Sequence, residues 1–220
     1  MTVGALRSGQ KTQSRSRRSV GSVRSSSLIL RKWCALTPNP ANSYRFSILL
    51  MNEGTSGAGR LILDSNLLLL LAVGAFDLRL ISSFKRLSNF TSDDFRLLRD
   101  FSKSYQLWAT PHIFTEVSNL ANSLPEQVRT PFLTYFASVI QSIVEPLTAS
   151  AELSSDAAFR LFGLTDAALC RLAPSALILT EDGRLRAYMS RQGNRAIGLA
   201  EVKQYRSRNK SLLRKPYRNI

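Results

Sequence analysis

Apolar and polar positions change character along the chain. Residues 1–27 are mostly Ser, Arg, Gly and Gln with little apolar content. Such a segment cannot offset the loss of chain entropy by burial and is expected to be disordered. From residue 60 the pattern alternates between strand and helix. Residues 61–63 (LIL) form a short apolar run that suits a buried parallel strand. Residues 66–81 are mostly apolar and predict a helix that leads to a basic face at Lys85 and Arg86. Thr91, Ser92, Asp93 and Asp94 form a helix start before Phe95, Leu97, Leu98 and Phe101. Residues 106–109 predict a second strand. Thr110 and Pro111 then supply a cap and a first-turn proline. Ile113, Phe114, Val117, Leu120, Ala121 and Leu124 follow at helical spacing. A further helix is expected over 126–141, a short strand over 142–144, and helices over 151–162 and 166–173. Residues 175–180 (SALILT) are the clearest strand. A basic helix over 183–192 and a last strand over 196–199 complete the pattern.

Strands alternating with helices argue an α/β sandwich with a mostly parallel sheet. A length of 220 residues suits one domain with an appendage, or two small ones, and 44% hydrophobic residues can bury a core. The expected domain covers residues 58–200, between a basic segment at 1–50 and a basic tail at 201–220. The longest apolar stretch, residues 67–76, falls short of the roughly 18 residues a membrane span needs. No membrane association is expected, and a cytoplasmic location is.

Charge sharpens this division. The net charge of +15 is concentrated at the ends. Residues 1–50 hold nine basic residues and no acid, and residues 184–220 hold eleven basic residues and one acid, Glu201. The stretch between is mildly acidic. For residues 1–50 three origins stay open: a start codon placed upstream of Met51, an organelle transit peptide, or a functional basic tail. The single histidine, His112, excludes a His-rich zinc site. Cys34 and Cys170 form neither a metal knuckle nor a disulfide framework, which suits a reducing compartment.

Four acids stand out in the acidic stretch. Asp64 follows residues 61–63, Glu116 flanks the apolar face of PHIFTEVSNL, Asp166 starts the helix of GLTDAALCRL, and Asp182 closes SALILTED. Each alone has an ordinary explanation: a helix-terminal acid, a turn residue or a solvated helix residue. Together they differ. Asp64 and Asp182 each follow an expected parallel strand, and the carboxyl ends of such strands line the binding crevice of open α/β sheets. Carboxylates gathered there would repel one another. A divalent cation resolves that conflict with oxygen ligands alone, without His or Cys.

LILDSNLLL resembles the first-strand motif of PIN-domain nucleases, an apolar strand ending in Asp-x-Asn. TPHIFTEVSNLA is similar to their acid-bearing helix, GLTDAALCRLA to their third acidic motif and LILTEDGRL to their Thr-x-Asp segment. All four occur in the family's order over residues 60–200. The resemblance implies a PIN-like three-layer α/β/α sandwich with a short, mostly parallel central sheet. It implies an endoribonuclease that hydrolyses RNA phosphodiester bonds with Mg²⁺ or Mn²⁺, leaving 5′-phosphate and 3′-hydroxyl ends. Asp64, Glu116 and Asp166 would be metal-site carboxylates. Asp182 would be a fourth acid, as ligand or support, and Asn66 and Thr180 would be polar supports. Ser65 stands where Thr is frequent, and Glu181 adds a neighbouring acid. The family includes VapC-type toxins, so a homodimer and an antitoxin-like inhibitory protein enter as partners beside RNA. Residues 51–220 are longer than the compact toxin type, which weakens the toxin assignment more than the nuclease one.

An acidic pocket repels phosphate until metal fills it, so basic residues must steer the substrate. Arg184, Arg186, Arg191 and Arg195 lie just beyond Asp182 and are candidates for RNA backbone contacts, or they form a solvated helix face. The tail interleaves Tyr205 and Tyr217 with basic residues. It would bind single-stranded RNA by charge and stacking, or be a disordered end that binds weakly.

Two rival functions are weighed against the nuclease. One is a basic nucleic-acid-binding module with an inactive PIN-like site. The other is a P-loop-like nucleotide binder built on GTSGAGRL at residues 54–61. That segment has Arg60 where Lys is needed and Leu61 where a metal-binding hydroxyl is needed.

Overall fold

The computed structural model describes the backbone of residues 59–213 and the side chains of residues 59–207. The basic segment at 1–50, with its alternative origins, and residues 54–58 of the phosphate-loop imitation lie outside the described residues. So do Trp33, Cys34 and Tyr217.

Four strands form one all-parallel sheet: β1 (Gly59–Leu63), β2 (Tyr105–Trp108), β3 (Leu177–Leu179) and β4 (Ala196–Ile197). Their order is β2-β1-β3-β4. The chain leaves β1 to one side for β2 and then returns to the other side for β3, so the strand order reverses at β1. Leu61 and Leu63 point to one face and Ile62 to the other, yet none is more than 2% exposed. Both faces of the sheet are therefore covered, which explains the continuous apolar run in place of alternation.

Ten α-helices and one 3₁₀ turn accompany the sheet among the described residues. Helix α1 (Ser65–Phe76) buries Leu67 through Gly74 without interruption. A helix apolar on every side is a core helix, and the neighbours of α1 include the helices that start at Leu80, Ser92, Pro111 and Glu126. At Gly74 an added Cβ would collide with the Phe95 ring, so the missing side chain sets the approach of the neighbouring helix. The helix expected over 66–81 is broken. Asp77 is extended, and its carboxylate accepts from the Arg79 amide at 3.0 Å and from the Arg79 guanidinium. That local turn ends α1 before α2 (Leu80–Ser83) and the 3₁₀ turn Lys85–Leu87.

Helix α3 (Ser92–Ser102) starts where its sequence predicts. Thr91 and Asp94 form a reciprocal capping box. Helix α4 (Pro111–Ala121) is capped by Thr110 with a first-turn proline, and α5 (Glu126–Ser142) follows. The strand expected over 142–144 does not form. Ser142 ends α5, and Val144 alone makes a bridge to Trp108 that extends the sheet past β2. The helix expected over 151–162 is two, α6 (Ser150–Ser154) and α7 (Ala157–Phe162). Asp156 is extended between them, and Arg171 of the next helix, α8 (Leu164–Leu172), holds its carboxylate at 3.0 Å. Gly163, at φ 90°, makes the sharp turn into α8.

After β3 comes α9 (Gly183–Arg191), and after β4 comes α10 (Leu199–Leu213). The tail expected from residue 201 therefore begins as a helix. Val202 is buried, and Lys203 pairs with Asp94 of α3 at 2.7 Å. No helix among the described residues is long and apolar enough to cross a membrane.

Candidate functional site: carboxylates at the strand ends

Leu63 of β1 pairs in register with Leu179 of β3, so the residues that follow them meet. The Asp64 amide donates to the Leu179 carbonyl at 3.0 Å. This is the point where the strand order reverses, the place where open parallel sheets leave a crevice. Asp64 is also the N-cap of α1, with Oδ1 accepting from the Leu67 amide at 2.8 Å. Its Oδ2 accepts from Thr180 Oγ1 at 2.5 Å and from the Glu181 amide at 3.3 Å. Burial lifts the Asp64 carboxyl above its ordinary pKa, against the pull of these three donors.

Thr180 is fully buried and serves both strand ends. While its hydroxyl donates to Asp64, the same oxygen accepts from the Asp182 amide at 3.1 Å. Asp182 in turn caps α9, accepting from the amides of Arg184 at 2.8 Å and Leu185 at 3.2 Å. Thr180 thus ties the carboxylate of Asp64 to the backbone of Asp182. Asn66 differs. It is exposed in the first turn of α1 and makes no hydrogen bond to the carboxylates among the described residues.

Glu116 arrives on α4, which packs against both α1 and α8. Its Oε2 accepts from Ser65 Oγ at 2.9 Å. In the sequence Ser65 stands out only as a departure from a motif; its position after the first acid is the one available signal of this role. Asp166 sits in the first turn of α8 and accepts no hydrogen bond among the described residues. Burial, then the charges of Glu116, Asp64 and Asp182, push it up to about 7. One carboxyl therefore senses all three of the others, and mutual repulsion at this site is a real cost.

The four acids share a field without closing on a point. Among the described residues no three His, Cys, Asp or Glu side chains come close enough to hold a metal ion. Coulomb repulsion reaches farther than coordination, so the two observations agree. All donors are hard oxygens with surplus negative charge, which fits Mg²⁺ or Mn²⁺ in kind. Mg²⁺ keeps several of its waters and suits carboxylates that do not form a closed cage.

Glu181, the neighbouring acid, has a different task. Its Oε1 accepts from the Leu199 amide at 2.6 Å at the start of α10. Its backbone serves Asp64 while its side chain anchors the last helix.

The four arginines separate. Arg184 stays beside the site in the first turn of α9, exposed, with its guanidinium 5.8 Å over the Phe162 ring. Arg186 is paired with Glu201, with both oxygens at 3.2 Å. Helix α9 then runs back along the sheet, about 13 Å for its nine residues. Arg191 ends it and Arg195 precedes β4, so both lie where the strands begin, away from the carboxylates. The phosphate-loop imitation also fails on geometry. Arg60 and Leu61 are inside β1, and no helix starts there to receive a phosphate. His112 bonds to Ser150 Oγ at 3.1 Å, linking α4 to α6.

No protein-family model matches the chain, and no curated protein or solved structure does either.

Proposed function

We propose that the chain is a PIN-type, metal-dependent endoribonuclease. The observation that carries this reading is Asp166, a hydrogen-bond-free carboxyl pushed to about 7 by burial and by Glu116, Asp64 and Asp182. Four acids from the end of β1, α4, α8 and the end of β3 gain nothing from sharing one field; a cation and a phosphodiester give the arrangement a purpose. A parallel sheet covered on both faces is compatible with the three-layer PIN architecture.

In this reading Mg²⁺ or Mn²⁺ would bind in the shared field of Asp64, Glu116, Asp166 and Asp182, in part through its own waters, since no three of them close on one point among the described residues. A bound cation would supply a water of lowered pKa and neutralise charge on the phosphoryl oxygens. Thr180 Oγ1 and the Glu181 amide keep Asp64 Oδ2 aimed. Ser65 does the same for Glu116. Arg184 meets the RNA backbone next to the scissile bond. The test is RNA cleavage by the full chain with Mg²⁺ or Mn²⁺ and with chelator. Cleavage should require metal and fall at least a hundredfold in Asp64→Asn and in Asp166→Asn, about the loss expected when charge stabilisation is removed. Cleavage that persists in both variants sinks the proposal.

A second reading is favoured by one observation, the lack of any three acids close enough for shared coordination among the described residues. It is a PIN-like module that binds RNA without cutting it. RNA binding that weakens with salt, with no cleavage under either metal, would select it.

A further inference from the structure

The sheet has a second end, where its strands begin, and it carries a groove that the carboxylates do not use. Two cavities of about 320 and 450 Å³ meet there, and Tyr105, Leu177 and Arg195 line both; the larger runs on along the sheet to Ile197 and Glu201. Tyr205 of α10 bounds the larger one. This ring is 61% exposed, so packing of α10 on α3 does not account for it. Arg195 is exposed and pairs with no carboxylate among the described residues. The nearby acid, Glu201, is already held by Arg186 and by the Gly198 amide at 3.1 Å. The smaller cavity has Arg60 on its wall and no acid. Its guanidinium lies 4.4 Å over the Trp108 ring.

An unpaired cation and two tyrosine rings in one nucleotide-sized groove match the needs of a single strand. Phosphates require positive charge, and bases stack on flat rings whatever their identity. The acidic site points the same way. Of the four arginines after Asp182, only Arg184 remains free beside it, so affinity for a polyanion must come from elsewhere.

We propose that this groove is a second RNA contact, where Tyr105 and Tyr205 stack on unpaired bases and Arg195 meets the phosphate backbone of single-stranded RNA. The inference rests on the proposed RNA-directed function. It puts Arg195, which precedes β4, at the opposite end of the sheet from the carboxylates.

The full chain carrying Asp64→Asn is titrated into a short fluorescent oligouridylate at about 200 mM salt, which limits the contribution of the basic ends. Arg195 and Tyr205 are both exposed, so their substitution leaves the core intact. Arg195→Ala and Tyr205→Ser should each weaken binding about tenfold. Arg195→Ala should also reduce the salt slope by about one. Lys85→Ala, a charge removed elsewhere, should change neither quantity. Ultraviolet cross-linking should join the RNA to Tyr105 or Tyr205. Unchanged affinity and slope in both groove variants overturn the proposal, as does a cross-link confined to the surroundings of Asp64. Cleavage by the parent chain is scored separately. If it cuts nothing with either metal while the groove variants lose binding, the nuclease reading falls and the groove stands. Metal-dependent cleavage with unaltered binding does the reverse.

Discussion

Thr180 concentrates the logic of the site in one hydroxyl. It donates to Asp64 and accepts from the Asp182 amide, with no exposure to water. Thr180→Val keeps the shape and removes both bonds, leaving a buried acceptor short of a donor. A loss of about 1–3 kcal/mol in urea denaturation is expected, with most of it restored in Thr180→Ser. Asp166 predicts the opposite sign. Its folded pKa of about 7 lies above its ordinary value of 3.8, so ionisation opposes folding. The penalty is absent below pH about 4, grows through the interval and is complete above about 7. In metal-free buffer, Asp166→Asn should therefore stabilise the chain at pH 8 and leave it unchanged near pH 4. Urea titrations at the two pH values check this; equal stability of the two chains at pH 8 would contradict the crowded-carboxylate account. These bonds were only partly legible in sequence. The Thr-x-Asp spacing marked Thr180, whereas Ser65 gained its partner Glu116 through the packing of α4 on α1.

At the scale of elements, local chemistry read well and long-range chemistry did not. The starts of α3 and α4 were readable because a capping threonine satisfies amides within its own turn. The break between α6 and α7 was not, since Asp156 is held by Arg171 from a different helix. The last helix follows the same rule. Its basic residues suggested a solvated tail, but Lys203 finds Asp94, and Arg206 finds Asp100 at 3.5 Å. Burial raises the Asp94 carboxyl, but bonds from Lys203 and Thr91 outweigh it and hold the group below its ordinary value. A lowered pKa stabilises the fold above the unfolded value and loses that effect as pH falls through the folded one. Lys203→Met should thus cost about 0.5 kcal/mol at pH 7, a partly exposed pair, and the difference should start to shrink near pH about 4 and vanish only as pH falls through the lowered folded pKa. A pH-independent loss in thermal unfolding would assign the effect to packing of the lysine stem.

At the scale of the described residues as a whole, the two ends of the sheet differ in charge. Acids gather where strands end, and Arg191 and Arg195 lie where strands begin. If the carboxylates take a cation, folding and metal binding are linked. Mn²⁺ at about 100 times its Kd should add about 2.7 kcal/mol and raise Tm, and should add nothing in Asp64→Asn. A thermal shift retained in that variant would place the cation elsewhere. The sequence by itself determined the four strands of the sheet, the threonine caps of α3 and α4 and the acids at two strand ends. Those features depend on side-chain period and on bonds within a turn. Only the tertiary structure decided that Asp166 feels the charges of Glu116, Asp64 and Asp182, that Arg186 is spent on Glu201 and that Tyr205 and Arg195 line one groove. The reason is the reversal of strand order at β1, which brings together residues that local propensity cannot relate.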